Sequence, residues 1–205
     1  MGTEAADRLS LPIGETAVEL VADRGAPFYH FALLVPGDRF DAALAWAAGR
    51  TELLPDRESG DVRFEFESWA ASACYFHDPA GNVVELIAHR GIAESGEEGE
   101  FAAAELVGLS ELGLVGDPSS LASKLSARLG LRLWDGRVGE PGRLGFVGER
   151  ARTLILSPPS RAWMPTGKKV EPHRVEALLA GPTEGEMEEG PAYRLRSVAL
   201  GRGSG

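Results

Sequence analysis

The chain has 205 residues, 43% of them hydrophobic, which is enough for one or two compact domains with a sizeable core. Its 31 acidic residues against 21 basic ones leave a formal charge of -10 at pH 7, which opposes a phosphate backbone and excludes a nucleic-acid partner. No run approaches the roughly 20 apolar residues of a membrane-spanning helix, and no Gly-rich phosphate loop, paired-cysteine motif or nucleophile elbow is present.

Residues 7–23 read as a strand pair that turns at Gly14 and ends in Val18-Glu-Leu-Val-Ala-Asp-Arg24. Residues 1–10 lack the basic head and apolar stretch of a leader. A longer unit opens with the strand His30-Phe-Ala-Leu-Leu-Val35, and Pro36, Gly37 and Asp38 lead into an amphipathic helix. That helix is expected to be capped by Asp38, to bury Phe40 and Leu44, and to stop at Gly49. Cys74, the single cysteine, lies among apolar residues and predicts a buried thiol in a reducing, cytoplasmic setting. Two apolar strands then flank the turn formers Asp78, Pro79, Gly81 and Asn82, the second of them being Val84-Glu-Leu-Ile-Ala-His-Arg90.

The stretch 94–100 is glycine-rich and acidic, and is expected to run over the surface. A second unit follows. Its strand at Glu111 leads to a helix with complete signals: Asp117 to cap it, Pro118 in the first turn, Leu121, Leu125 and Leu129 on one face, and Gly130 to end it. Thr153-Leu-Ile-Leu-Ser157 closes the unit as a strand. Beyond it, residues 181–190 are expected to be irregular, 193–200 to form a strand, and 201–205 to be disordered.

These elements repeat. Glu111 stands 81 positions after His30, and the same offset carries Phe40 to Leu121, Leu44 to Leu125 and Gly49 to Gly130. A second offset, of 66, carries Glu19 to Glu85 within matching strands. The organisation expected is a half-module at 1–26, a complete βαβββ module at 27–92, an acidic linker at 93–107, a second βαβββ module at 108–165 and a C-terminal extension at 166–205. Period-2 alternation puts Phe31, Leu33 and Val35 against the helix and His30, Ala32 and Leu34 on the opposite face, with Val83, Glu85 and Ile87 likewise on one face. A carboxylate between apolar neighbours on a strand requires a partner. The residues alone leave that partner open: an arginine such as Arg90, solvent, or a site.

The run Tyr75-Phe-His-Asp-Pro-Ala-Gly-Asn-Val-Val-Glu-Leu-Ile87 resembles the end of a module of the vicinal oxygen chelate superfamily, which includes glyoxalases, bleomycin-resistance proteins and extradiol dioxygenases. The strand from His30 with its following turn resembles the start of the same module, and Arg161-Ala-Trp-Met-Pro-Thr166 resembles a tail found in other members.

The resemblance implies an α+β fold of paired βαβββ modules, whose curved mixed sheets enclose a cleft. It further implies a divalent metal (Fe, Mn or Zn) held by residues of the first and last strands of each module. Those positions map onto His30 and Glu85, with Glu111 or Glu19 as the third ligand according to which modules pair, since Ile155 stands where the second module's last ligand would be. Such a site chelates vicinal oxygens of a small-molecule substrate, and Glu85 becomes the candidate general base. The same resemblance allows a metal-free protein that sequesters a small molecule, and the strand edges that an incomplete first module leaves exposed allow a homodimer closed through strand exchange. His77 and His89 are expected at the surface or behind the ligands, Trp46, Trp69 and Trp134 in the core or pocket walls, and Trp163 as a lid.

Overall fold

In His30–Val35 the side chains alternate between two buried environments, and the computed structural model builds its first module around this strand. The structure describes residues 3–5 and 7–199; the predicted strand end at Leu200 and the tail 201–205 lie outside the described residues. The elements in chain order are β1 (Thr3–Ala5), β2 (Arg8–Ile13), β3 (Thr16–Val21), β4 (His30–Val35), α1 (Phe40–Ala48), β5 (Phe64–Phe66), β6 (Ala71–His77), β7 (Val83–His89) and β8 (Gly108–Val115). After these come α2 (Pro118–Leu129), β9 (Leu133–Gly136), β10 (Gly145–Glu149), β11 (Arg152–Ser157), β12 (Val175–Gly181), β13 (Gly185–Glu189) and β14 (Tyr193–Ala199). The fold is α+β, with two βαβββ modules, β4-α1-β5-β6-β7 and β8-α2-β9-β10-β11.

The chain divides into two compact units. The first runs to Leu112 and includes Trp163–Gly167; the second comprises Gly113–Ala162 and the chain from Lys168. In the first unit the sheet order is β5-β6-β7-β4-β8, with β4 and β7 parallel and the other pairs antiparallel. The helix face of this sheet carries Leu33, Val35, Cys74, Val84, Leu86 and Ala88, packed against Phe40, Ala43 and Ala47 of α1. Leu44, expected to be buried, is only partly so, because the contact stripe of this short helix runs through the alanines and lets the helix lie close to the sheet.

One expectation about this region is corrected. Asp38 does not cap α1: the N-cap is Arg39, without a side-chain cap, and the Asp38 carboxylate instead accepts bonds from the Ser95 and Gly96 amides at 3.0 and 2.7 Å. The acidic stretch 94–100 is exposed as expected but is fastened, because the buried Arg39 donates to Glu105 and to the Glu97 and Glu100 carbonyls, while Phe101 and Leu106 beyond it enter the core. The β2–β3 hairpin turns at Gly14 with φ +50°, and a Cβ there would lie 2.0 Å from the Val107 carbonyl oxygen, so only glycine lets the turn close on the strand that leads into β8.

In the second unit α2 begins and ends as its sequence indicates. Asp117 accepts the Ser120 amide at 2.7 Å, Gly130 adopts the left-handed conformation, and Leu121, Leu125 and Leu129 are buried. The stretch 181–190 is not irregular: β13 lies within it and joins the sheet β12-β14-β13, where Met187 fills the buried face beside Leu195. Alternation of glutamate with a single apolar residue concealed this strand among its charges. No helix among the described residues is long and apolar enough to cross a membrane.

The Asp78–Asn82 turn ties β7 to the start of β4. Asp78 accepts the Ala80 and Asn82 amides and the Asn82 side-chain amide, while the Asn82 side-chain oxygen, Oδ1, accepts the Tyr29 amide at 2.9 Å. Asn82 is 3% exposed, so Asn82→Ala leaves the Tyr29 amide without its acceptor and should lower unfolding stability by about 1–3 kcal/mol in denaturant titration. A change below a few tenths would show that this turn does not organise the module.

Candidate functional site

One row of residues crosses four adjacent strands of the first unit. Tyr75 on β6 pairs with Glu85 on β7, Glu85 with Ala32 on β4, and Ala32 with Glu111 on β8. Adjacent strands are about 4.8 Å apart, so the two glutamates are separated by one strand, and the small side chain of the fully buried Ala32 leaves room for their carboxylates to converge above it. His30, two residues before Ala32 on the same face, completes the group. Its Nε2 lies 3.4 Å from a Glu85 carboxylate oxygen and 4.0 Å from one of Glu111, and one ligand atom from each residue lies within 4.8 Å of the others. His30, Glu85 and Glu111 are 5%, 2% and 4% exposed.

Glu111 reaches this face through a β-bulge. The pairing of β4 with β8 shifts between Ala32 and Leu33, from Glu111 to Leu109, so that Ser110 is the extra residue. In a regular strand Leu109 and Glu111 would share a face. The bulge separates them, sending Leu109 to the helix-side core and Glu111 to the row of carboxylates.

His30 Nδ1 lies 3.1 Å from the Val83 carbonyl oxygen. A carbonyl only accepts, so the bond places the proton on Nδ1 and leaves the Nε2 lone pair facing the two carboxylates. Burial lowers the His30 pKa to about 4, partly offset by the Val83 bond. Burial likewise raises Glu111 to about 7, and raises Glu85 well above the usual carboxyl range, with the nearby Glu111 charge adding to the shift. The Tyr75 hydroxyl hydrogen-bonds Glu85, which favours that carboxylate's charged form; burial and the two glutamates push the phenol itself upward.

Three buried acceptors thus converge, and they are compatible only if protons or a cation lie between them. Separations of 3.4 and 4.0 Å are those of donors sharing one ion at bond lengths of about 2.0–2.2 Å, and one imidazole with two carboxylates is a donor set for a divalent ion. These residues could hold a metal.

The remaining candidates lie elsewhere. Glu19 is not brought into the group: it sits on the exposed face of the β2–β3 hairpin, ion-paired with Arg8 across the register Ser10↔Glu19. His77 is exposed at the end of β6, with Nδ1 3.1 Å from the Asn82 carbonyl oxygen. His89 is not at the surface; it is fully buried and stacked on Trp69 with ring centroids 6.5 Å apart, four residues along β7 from Glu85. Trp163 is 4% exposed and its ring centroid is 5.1 Å from that of His30. Trp46 packs edge-on to Phe101 in the helix-side core.

Tyr75 was the residue not singled out from sequence. The signal was present, since Tyr75 and Glu85 are equidistant from Ala80 at the centre of the turn and must face one another in a regular hairpin. A separate hollow of about 340 Å³ in the second unit is lined by Asp135, Arg137, Arg143, Phe146 and Arg161, and offers no comparable ligand set.

The site also sets a pH dependence. In the metal-free protein Glu111 binds more protons folded than unfolded between the ordinary carboxyl range and about pH 7, so its contribution to stability falls as pH rises through that window. His30 acts in the opposite sense between about 4 and the ordinary imidazole value near 6.5, where the folded ring binds fewer protons. Glu111→Gln removes the first effect and leaves the second. The melting temperature of Glu111→Gln minus that of the parent, without metal, should be near zero at about pH 5 and positive at about pH 8; a difference that stays flat contradicts these assignments.

No protein-family profile matches the chain, and no curated protein matches its sequence. Solved structures do match in fold. A candidate dioxygenase from Bacillus subtilis subsp. subtilis str. 168 superimposes with a TM-score of 0.55 at 15% identity, over 96% of this chain and 73% of that one. Two glyoxalase I mutants from Zea mays superimpose with TM-scores of 0.54 and 0.53 at 14% identity, over 94% of this chain and 78% and 79% of theirs. At such identities the likeness is one of fold.

Proposed function

We propose that this chain, which has the vicinal oxygen chelate fold, is a metal-dependent enzyme acting on a small molecule that presents two adjacent oxygens. The observation that carries the reading is the lone pair of a buried imidazole aimed at two buried carboxylates, an arrangement that a divalent cation satisfies completely. The similarity in fold to glyoxalase I and dioxygenase structures supports the same general kind of chemistry.

His30, Glu85 and Glu111 would hold the ion, and this donor set suits Fe, Mn or Zn. Three protein groups leave coordination positions for substrate oxygens. When bound, the metal supplies a Lewis acid that lowers the energy of negative charge developing on those oxygens. The Val83 carbonyl fixes the His30 ring and its tautomer, and the Tyr75 hydroxyl steadies Glu85 from the neighbouring strand. Glu85 is the group best placed to accept a substrate proton: burial makes its carboxylate a stronger base than an exposed one, and Tyr75 can hold it in either protonation state. The aromatic rings of Tyr75, Phe64 and Trp163 exclude water around the cluster, which strengthens each electrostatic contact there.

A second reading is a metal-free protein that sequesters a small molecule. It is favoured by the upward shifts of both glutamates, since protons alone can then reconcile the three acceptors. Metal analysis of the purified protein and titration with Fe(II), Mn(II) and Zn(II) separate the two. One ion per chain is expected, with affinity weakened by about 100-fold or more in His30→Ala, Glu85→Gln and Glu111→Gln and unchanged in Glu19→Ala. Absence of saturable binding in the parent, or binding lost only with Glu19, contradicts the enzyme reading.

A further inference from the structure

The residues that cover His30 belong to a segment with its own construction. Between Arg161 and Val170 the chain makes a loop closed at its neck by a bridge between Ala162 and Lys169 and by the Val170 amide donating to the Arg161 carbonyl at 3.1 Å. Within the loop the Thr166 hydroxyl donates to the Trp163 carbonyl at 2.7 Å. Trp163 and Pro165 are buried, whereas Met164, Gly167, Lys168 and Lys169 are exposed. Trp163 lays its ring against the His30 imidazole at 5.1 Å between centroids. At the far side of the loop Gly167 meets the Arg57 guanidinium so closely that a Cβ there would lie 2.6 Å from Nη1.

We propose that this strap, residues 162–169, is the gate to the His30–Glu85–Glu111 cluster, and that metal and substrate reach His30 only when the strap turns about its neck and lifts Trp163 away. Three features carry the proposal. The cluster's side chains are 2–5% exposed, so an ion or substrate must displace something to touch them. Trp163 is the strap's contact with the imidazole. The Ala162–Lys169 bridge and the Thr166–Trp163 bond lie across the neck and within the loop, so they survive a rigid swing, and that swing gives up the Trp163 packing and the Arg57 contact. Trp163 and Pro165 are turned inward, and Lys168 and Lys169 give the strap a solvated outer side.

The proposal rests on the cluster being the reaction centre for its biological sense, but its test needs no metal. Metal-free protein is treated with diethyl pyrocarbonate at pH 7, and carbethoxylation of each histidine is followed by peptide mass spectrometry. The exposed His77 serves as internal reference. In the parent protein His30 should react at least about 100-fold more slowly than His77, the ratio reporting the small population of the open strap.

Trp163→Ala should raise the His30-to-His77 ratio by about tenfold or more, Trp163→Phe should stay close to the parent, and Arg57→Ala should raise the ratio by a smaller factor with no change to the cluster. Should Trp163→Ala fail to fold, Arg57→Ala decides the matter alone. A ratio unmoved by both Trp163→Ala and Arg57→Ala, or a parent in which His30 reacts as fast as His77, overturns the gate while leaving the metal titration to judge the enzyme reading separately.

Discussion

The meeting of two glutamates and a histidine above Ala32 governs how the first module must be built. Each of the three side chains would be costly where it lies if it stood alone, and bringing them together relieves the cost only when positive charge is shared among them. The requirement reaches down to single residues. Position 32 has to be small, because a larger side chain would fill the space into which both carboxylates lean. The first strand has to begin at His30 so that the ring falls on the same face two residues away, and Val83 has to offer its carbonyl so that the ring presents the correct nitrogen.

The rest of the unit can be understood as support for that geometry. The tight Asp78–Asn82 turn sets the β6–β7 register that brings Tyr75 opposite Glu85, and through the Tyr29 amide it fixes where β4 starts. The Gly14 turn closes on Val107, and Thr16 accepts the Leu109 amide at 2.9 Å, so the N-terminal hairpin braces the start of β8 where the bulge turns Glu111 inward. This explains why a hairpin whose own glutamate lies outside the cluster still supports the cluster's geometry. Its repeat relationship to β7 preserves a strand pattern, while Glu19 has become one half of an exposed ion pair with Arg8.

Much of this was legible in the sequence, and what was not has identifiable causes. The alternation in His30–Val35 and Val83–His89 assigned His30 and Glu85 to one face, because a period of two leaves no other choice in a paired strand. The α2 signals were unambiguous, since a cap, a first-turn proline, a leucine stripe and a terminal glycine agree with one another. The failures came where one residue changes the count or a distant residue changes the partner. The Ser110 bulge reverses the face of everything before it and leaves no mark in the pattern of β8. Asp38 looked like a helix cap, yet amides 57 and 58 positions away hold it instead. The choice between Glu111 and Glu19 depended on long-range pairing, to which periodicity is blind.

Whether a cation joins the three buried groups is decided in one location, the space bounded by His30, Glu85 and Glu111. Anomalous diffraction from crystals soaked in Mn(II) or Zn(II), recorded on both sides of the metal's absorption edge, tests it most directly. A single strong peak within about 2.0–2.3 Å of His30 Nε2 and of one oxygen from each glutamate is the expected result. Density confined to the surface carboxylates, with the three buried groups joined through protons and no ion between them, would contradict it.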